Sequence, residues 1–447
     1  MSYVELHCHS NYSFQEGASS IDEMVSRAVE LGYSALALTD HDNLCGTMEF
    51  AQVARSLDIQ PISGAEVTTE AGGHLTFLAS DRTGYGNLCQ LVTFSYMDAE
   101  RRDPKLSDAR LAEHSQGVIL LTGCCKGLIP SLASQGRMEE AETVLRQYVE
   151  WFDADNVFVE LQQNLVYGDT RRNRRLVELA RQVGVSVVAT NNVHYHTPDR
   201  HRLQDALVAI QHNKSLEETH QERRPNSHFY LKSHAQMTAL FREIPEAIQN
   251  TLVVAERCAS FDLTRDLNYK FPDYPAPDDH TPLSYLEKLC HEAALRRYGR
   301  INWRVRKRLN EEFRLIKKHD LAGFLLIYHD IIQMARQIQI ELGRSDAEIP
   351  LEERPPGRGR GSSVAMLSGY LIGLSHIDPM EFDLSLERFL QEDMVSVPDI
   401  DLDFPRDIRE ELIKRVHKHW GWDRAALTGM ISTYKMKGAI RDLGKAL

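Results

Sequence analysis

Short apolar runs in the first half of the chain repeatedly end on a metal-type ligand. Val4 and Leu6 lead into His7-Cys8-His9, and the run ending at Thr39 delivers Asp40-His41-Asp42. The runs ending at Ala65, Thr122 and Ala189 deliver Glu66, Gly123-Cys124, and Asn192 with His194. In a parallel barrel, side chains at the carboxyl ends of the strands converge on one face, so ligands distant in sequence can share one metal cluster. An H-x-H pair alone is weak evidence, but five polar strand ends on one rim are not. A metalloenzyme is the expectation.

Strand-like runs at 3–6, 35–39, 61–65, 75–79, 118–122, 157–161 and 185–189 alternate with amphipathic stretches such as 21–31 and 170–183. This β/α rhythm is that of a parallel sheet or barrel, and seven strands predict an α/β chain built on a distorted (β/α)7 barrel. From about 200 the pattern turns helical, at 202–211, 235–241 and 246–258. A stretch rich in Pro and Asp at 271–279 then reads as a linker. The expected domains are 1–270, 271–430 and a short terminal segment, 431–447.

The 447 residues allow about three domains by length alone. A formal charge of -12 argues against binding nucleic acid by bulk electrostatics, so local charge must be read instead. The densest basic cluster comprises Arg296, Arg297, Arg300, Arg304, Arg306, Lys307, Arg308, Arg314, Lys317 and Lys318, on a predicted helix over 283–318. It is either a solvated helix face or a surface that touches phosphates. The seven cysteines are odd in number and form no C-x-x-C pair, which suits a reducing cytosol. Neither a signal peptide nor a membrane span is legible, so a cytoplasmic chain without membrane association is expected.

Pro398-Asp-Ile-Asp-Leu-Asp-Phe404 alternates carboxylates with apolar residues. With a strand's period of two, Asp399, Asp401 and Asp403 share one face while Ile400, Leu402 and Phe404 share the other. Three acids on one face repel unless cations lie between them, an arrangement suited to paired Mg ions. Upstream, Pro356-Gly-Arg-Gly-Arg-Gly-Ser-Ser363 opens into an apolar stretch, 364–374, expected to be a helix that Ser362 or Ser363 caps. Glycine amides and a helix amino terminus favour a phosphate there.

The segments Leu6-His-Cys-His9, Thr39-Asp-His-Asp42, Gly64-Ala-Glu66 and Thr190-Asn-Asn-Val-His194 resemble the motifs of the PHP (polymerase and histidinol phosphatase) domain over roughly residues 1–270. The resemblance implies a trinuclear site. It places His7, His9, Glu66 and Asn192 around one ion, Glu66 and Cys124 around a second, and Glu16, His41 and His194 around a third. Zn, Mn or Fe suits such a donor set. The family usually has Asp where this chain has Asn192, and a neutral amide lends less charge to a divalent ion. Glu16 stands where Asp is commoner. No further histidine is assigned to the second ion, and His74 reads as a strand start.

From about Gly357 onward the chain resembles the palm of bacterial C-family DNA polymerases, the polymerase III α-subunit class. The likeness rests on Gly359-Arg-Gly-Ser362, Ile377-Asp-Pro379, Leu386-Glu-Arg-Phe-Leu390, the acidic strand and Arg441-Asp-Leu-Gly-Lys-Ala-Leu447. It implies catalytic roles for Asp401 and Asp403 with Mg, and nucleotide-phosphate contacts for Arg360, Gly361, Ser362 and Ser363. By the same resemblance the partners are a DNA primer-template, deoxynucleoside triphosphates, a sliding clamp and other replication or mutagenesis proteins. Asp423-Arg-Ala-Ala-Leu427 is more similar to the error-prone branch. The family's third catalytic Asp and its fingers are expected beyond residue 447, with residues 431–447 opening the thumb, so the chain alone is not expected to polymerise DNA. The amino-terminal domain is then either a 3'-5' exonuclease or a degenerate, metal-stabilised scaffold. A free-standing PHP phosphoesterase acting on a small metabolite is the other reading, and it leaves the acidic strand unexplained.

Overall fold

The computed structural model describes residues 3–100, 103–267, 273–277, 279–394, 399–421 and 424–447. Ser396, Val397, Pro398, Asp423, the linker residues Phe271, Pro272 and Asp278, and the boundary expected at 270/271 lie outside them. Two compact units form, one from Met1–Asn268 with Thr433–Leu447 and the other from Tyr269–Ser432.

The first unit is built on six strands, β1 (Ala35–Leu38), β2 (Gln60–Thr68), β3 (His74–Ala79), β4 (Val118–Leu121), β5 (Val157–Gln162) and β6 (Ser186–Thr190), paired in sequence order. Helices such as Ile21–Glu30, Asp169–Val183, His201–Gln211, His234–Leu240 and Pro245–Arg257 fall within a residue or two of the predicted spans. Strand residues alternate between two buried layers. Ala35, Ala37, Ile62, Leu78, Ile119, Leu121 and Val188 pack in one cluster, whereas Leu36, Leu38, Val67, Phe77, Leu120 and Val187 pack in another. Burial on both faces is why the runs read as continuous apolar stretches.

Two details correct the simple parallel barrel. β3 runs antiparallel to both β2 and β4, because the β2–β3 connection, 69–73, is too short for a crossover helix. The seventh strand, expected at 3–6, forms only single bridges, Glu5 with Leu36 and Cys8 with Val193. That segment nevertheless closes the ring. Ala37 N donates to Glu5 O at 2.9 Å and Thr39 N to Cys8 O at 2.8 Å, while Val193 N and His9 N bond across to His7 O and Val193 O at 2.9 and 2.8 Å. Buried backbone groups require partners, and here they find them on both flanks. The terminal helix Met436–Ala446 packs on His201–Gln211, with Leu216 N donating to Ala446 O at 2.9 Å.

The second unit is mainly helical, with Pro282–Tyr298, Trp303–Lys318, Ala322–Glu341 and Arg409–Trp420 around a ribbon of β7 (Arg358–Arg360) and β8 (Asp401–Asp403). The helix expected over 283–318 is broken. Gly299, at φ 68°, ends the first half, and Asn302 Oδ1 caps the second by accepting from Arg304 N and Val305 N. The helix expected over 364–374 is also shorter, a 3-10 turn Gly361–Ala365 followed by Leu367–Leu371. Buried Glu312 sets its start, accepting from Leu367 N and Ser368 N at 2.8 Å each. Neither serine caps it, and Ser363 Oγ donates instead to Arg360 O at 2.7 Å. Among the described residues, no helix is long and apolar enough to cross a membrane.

Much of the basic cluster is structural. Arg296 pairs with Glu352, Arg308 with Glu312, and Arg314 and Lys318 with Glu392. Arg297 lies over the Tyr370 ring at 4.1 Å. Arg304, Arg306 and Lys307 remain exposed.

Candidate metal centre and acidic ribbon

Strand ends gather the donors within the first unit. His7 Nε2 faces His9 Nε2 at 3.1 Å and Glu66 Oε1 at 3.3 Å, and His9 Nε2 lies 3.7 Å from Glu66 Oε2. On the other side of the same carboxylate, Glu66 Oε2 lies 3.3 Å from His74 Nδ1. Two three-donor groups result, His7-His9-Glu66 and His41-Glu66-His74, each with its donor atoms within 4.8 Å of one another. Glu66 belongs to both, as a bridging carboxylate must.

Neighbouring groups fix how these donors point. His9 Nδ1 sits 3.0 Å from Ser13 Oγ, which itself donates to Asp40 Oδ1 at 2.7 Å. The ring nitrogen is therefore the donor, and Nε2 is left bare for a cation. Burial pushes the His9 imidazole down to about 3, which keeps it neutral. His7 Nδ1 is 2.7 Å from Glu160 Oε1. Burial alone lowers His7, but Glu160 and Glu66 outweigh it and push the imidazole up to about 10. His41 behaves alike: burial is outweighed by Glu16, 3.3 Å away, and by Glu66, giving about 9. Such upward shifts mark a pocket of carboxylates that favours positive charge.

Cys124 Sγ lies 4.0 Å from His74 Nδ1. Gly123 permits that approach, since its φ is 84° and a Cβ there would meet His74 O at 2.0 Å. Asn192 is buried, at φ 47°, and among the described residues neither of its side-chain polar atoms has a hydrogen-bond partner. A buried amide left so costs roughly 1–3 kcal/mol, and a bound ion or its water would satisfy it. His194 stacks on His9 with ring centroids 4.4 Å apart, while its Nε2 accepts from Arg224. The donor set thus fits divalent cations, with His7, His9, Glu66, His41 and His74 converging and Cys124, Glu16 and His194 lying beside them.

In the second unit, β7 and β8 pair Arg360 with Asp401 and Arg358 with Asp403. Asp399, Asp401 and Asp403 are exposed, Ile400 is buried, and Leu402 and Phe404 pack partly against the core. Arg360 bonds to Asp403. Gly361, at φ 67°, and Ser362 follow directly at the surface, whereas Ser363 is buried.

A family model described as the PHP domain matches residues 5–164, and one described as the bacterial DNA polymerase III alpha NTPase domain matches residues 284–447. The chain thus carries a PHP domain and a DNA polymerase III alpha NTPase domain. Along its whole length it is 36% identical to the error-prone DNA polymerase of Symbiobacterium thermophilum and 33% identical to the DNA polymerase III subunit alpha of Treponema pallidum, covering 41% and 38% of those proteins. It is 37% identical to the error-prone DNA polymerase of Cutibacterium acnes, covering 39% of it. The chain therefore spans about two fifths of the length of these relatives.

Three groups at the centre carry no ligand role in the sequence motifs: His74, Glu160 and Arg224. His74 pairs with Thr68 across the β2–β3 hairpin, and the hairpin signal, two glycines at 72 and 73 between alternating runs, was available. Glu160 is a carboxylate inside an otherwise apolar run, a legible anomaly. Arg224 comes from a loop without periodicity and gives no signal.

Proposed function

We propose that the first unit is a metal-dependent phosphoester hydrolase that trims DNA 3' ends, and that the second contributes the acidic ribbon of a template-directed DNA polymerase whose nucleotidyl transfer belongs to the whole protein. The observation that carries the first half is Glu66, flanked by His7 and His9 on one side and His74 and His41 on the other. Divalent ions held by His7, His9, Glu66, His41 and His74, Zn, Mn or Fe by donor type, would lower the pKa of water and offset charge on phosphoryl oxygens. The chain's own part is to present neutral His9, to orient His7 through Glu160 and to hold the bridging carboxylate out of bulk water.

In the polymerase, Asp401 and Asp403 would hold Mg, and Arg360, Gly361, Ser362 and Ser363 would meet nucleotide phosphates. The pairing of Arg360 with Asp401 on the ribbon, with Gly361, Ser362 and Ser363 in the turn that follows directly, supports this. Primer-template DNA, nucleotides, a sliding clamp and a cytoplasmic setting belong to the same proposal. All seven cysteines are unpaired, which is in keeping with such a setting. Both error-prone and subunit alpha relatives match, so the error-prone branch is proposed on the motifs alone. A free-standing phosphoesterase would leave the match over 284–447 unexplained.

The decisive experiment incubates the chain with Mn2+ and a primer carrying a 3' mismatch. Trimming that disappears in Glu66→Gln supports proofreading. Bound metal without trimming supports the scaffold reading, which Asn192 favours.

A further inference from the structure

Arg224 reaches into the donor cluster from a loop. Its guanidinium donates to His194 Nε2 and lies 4.9 Å over the Phe229 ring. The other ring nitrogen, Nδ1, is buried and has no hydrogen-bond partner among the described residues. A guanidinium carries only donors and stays charged, so it and a divalent ion cannot both take the lone pair of Nε2. Its field also reaches Glu16, Cys124 and Cys125.

The neighbouring groups are already satisfied by the protein. Glu16 Oε2 meets His41 Nδ1 at 3.3 Å, and its Oε1 accepts from Gln211 Nε2 at 3.5 Å. Among the described residues, the donor groups that close on a common point include neither Glu16 nor His194. By contrast, both side-chain polar atoms of Asn192 stand unpartnered among the described residues.

We propose that Arg224 takes the place of one metal ion, so that the centre combines ions bridged by Glu66 with a fixed guanidinium at the His194 corner. This rests on the metal-centre reading above. The arginine keeps a positive charge there and can clasp a phosphate bidentately, but it cannot activate water as an ion does.

The test counts ions. The purified chain is stripped with chelator, dialysed against Mn2+ and analysed for metal by mass spectrometry, beside Arg224→Met and Arg224→Lys. Arg224→Met should bind one ion more per chain than the parent, and Arg224→Lys should not. An unchanged count in folded Arg224→Met overturns the proposal. Should that variant fail to fold, Mn anomalous scattering from the parent decides: peaks near Glu66 with none at His194 support it, and a peak on His194 Nε2 overturns it. No bound ion in either protein would instead refute the metal centre itself.

Discussion

His74 Nδ1 lies 3.3 Å from Glu66 Oε2, brought there by the register that sets Thr68 opposite His74 across a five-residue connection. This contact makes Glu66 common to two groups of cation-type donors rather than a member of one. His74→Ala removes a donor from the second group alone. The expected outcome is loss of one ion per chain, or weakening by at least the ~10–100-fold typical of disturbing a metal site's support. Chelator competition with metal analysis measures it.

Asn192→Asp should tighten binding at the His7-His9-Glu66 group, because a carboxylate adds a full negative charge to the coordination shell. About tenfold or more is expected in Mn2+ affinity. The same variant should melt lower than the parent in chelator, since its buried charge then has no cation. A melting temperature unchanged in chelator and an unchanged affinity would remove Asn192 from the centre.

Lys232 gives a pH prediction. Its ammonium is buried, donating to Asn191 Oδ1 at 2.8 Å and to His228 O. Burial pushes it down to about 7, against a smaller opposing pull from Glu5. Between about 7 and the unfolded value near ~10.4, the unfolded chain binds the extra proton, so stability rises with pH across that window. Below pH 7 the cost of burying the charge is present in full. Lys232→Met should abolish this slope, at most ~1.4 kcal/mol per pH unit. Urea midpoints of parent and variant at pH 7 and 9, in the same metal buffer, compare the two.

Glu312 predicts a stability loss in the second unit. Its buried carboxylate accepts from Leu367 N, Ser368 N and Ser368 Oγ, and pairs with Arg308 at 2.8 Å. Glu312→Ala strands a cation and the start of a helix, at a cost of about 3–5 kcal/mol. Denaturant unfolding followed by circular dichroism should show it, whereas Arg360→Ala, which breaks an exposed pair with Asp403, should change stability by less than ~1 kcal/mol.

For the ribbon, Asp401→Asn with Asp403→Asn in the longer polymerase should abolish primer extension while leaving the circular dichroism spectrum unchanged. Retained extension would remove these residues from catalysis.

The amino-acid sequence alone determined what depends on short-range periodicity. Apolar runs with a ligand at the end located the strands and put His7, His9, Glu66 and Cys124 on one rim, and the alternation through Asp399, Asp401 and Asp403 placed those acids together on an exposed face. These patterns are written within a few residues, where strand period and burial act directly. Tertiary structure decided the rest. Reversal of β3 carried His74 to Glu66, the amino-terminal segment closed the ring by bridges alone, and Glu312 reached across from another helix to start the one at Leu367. Folding also divided one basic cluster into ion-paired and exposed cations, and placed Arg224 on His194. Apart from the short β2–β3 hairpin, each of these depends on a partner far away in the chain, set by how elements pack, and local pattern carries no record of that distance.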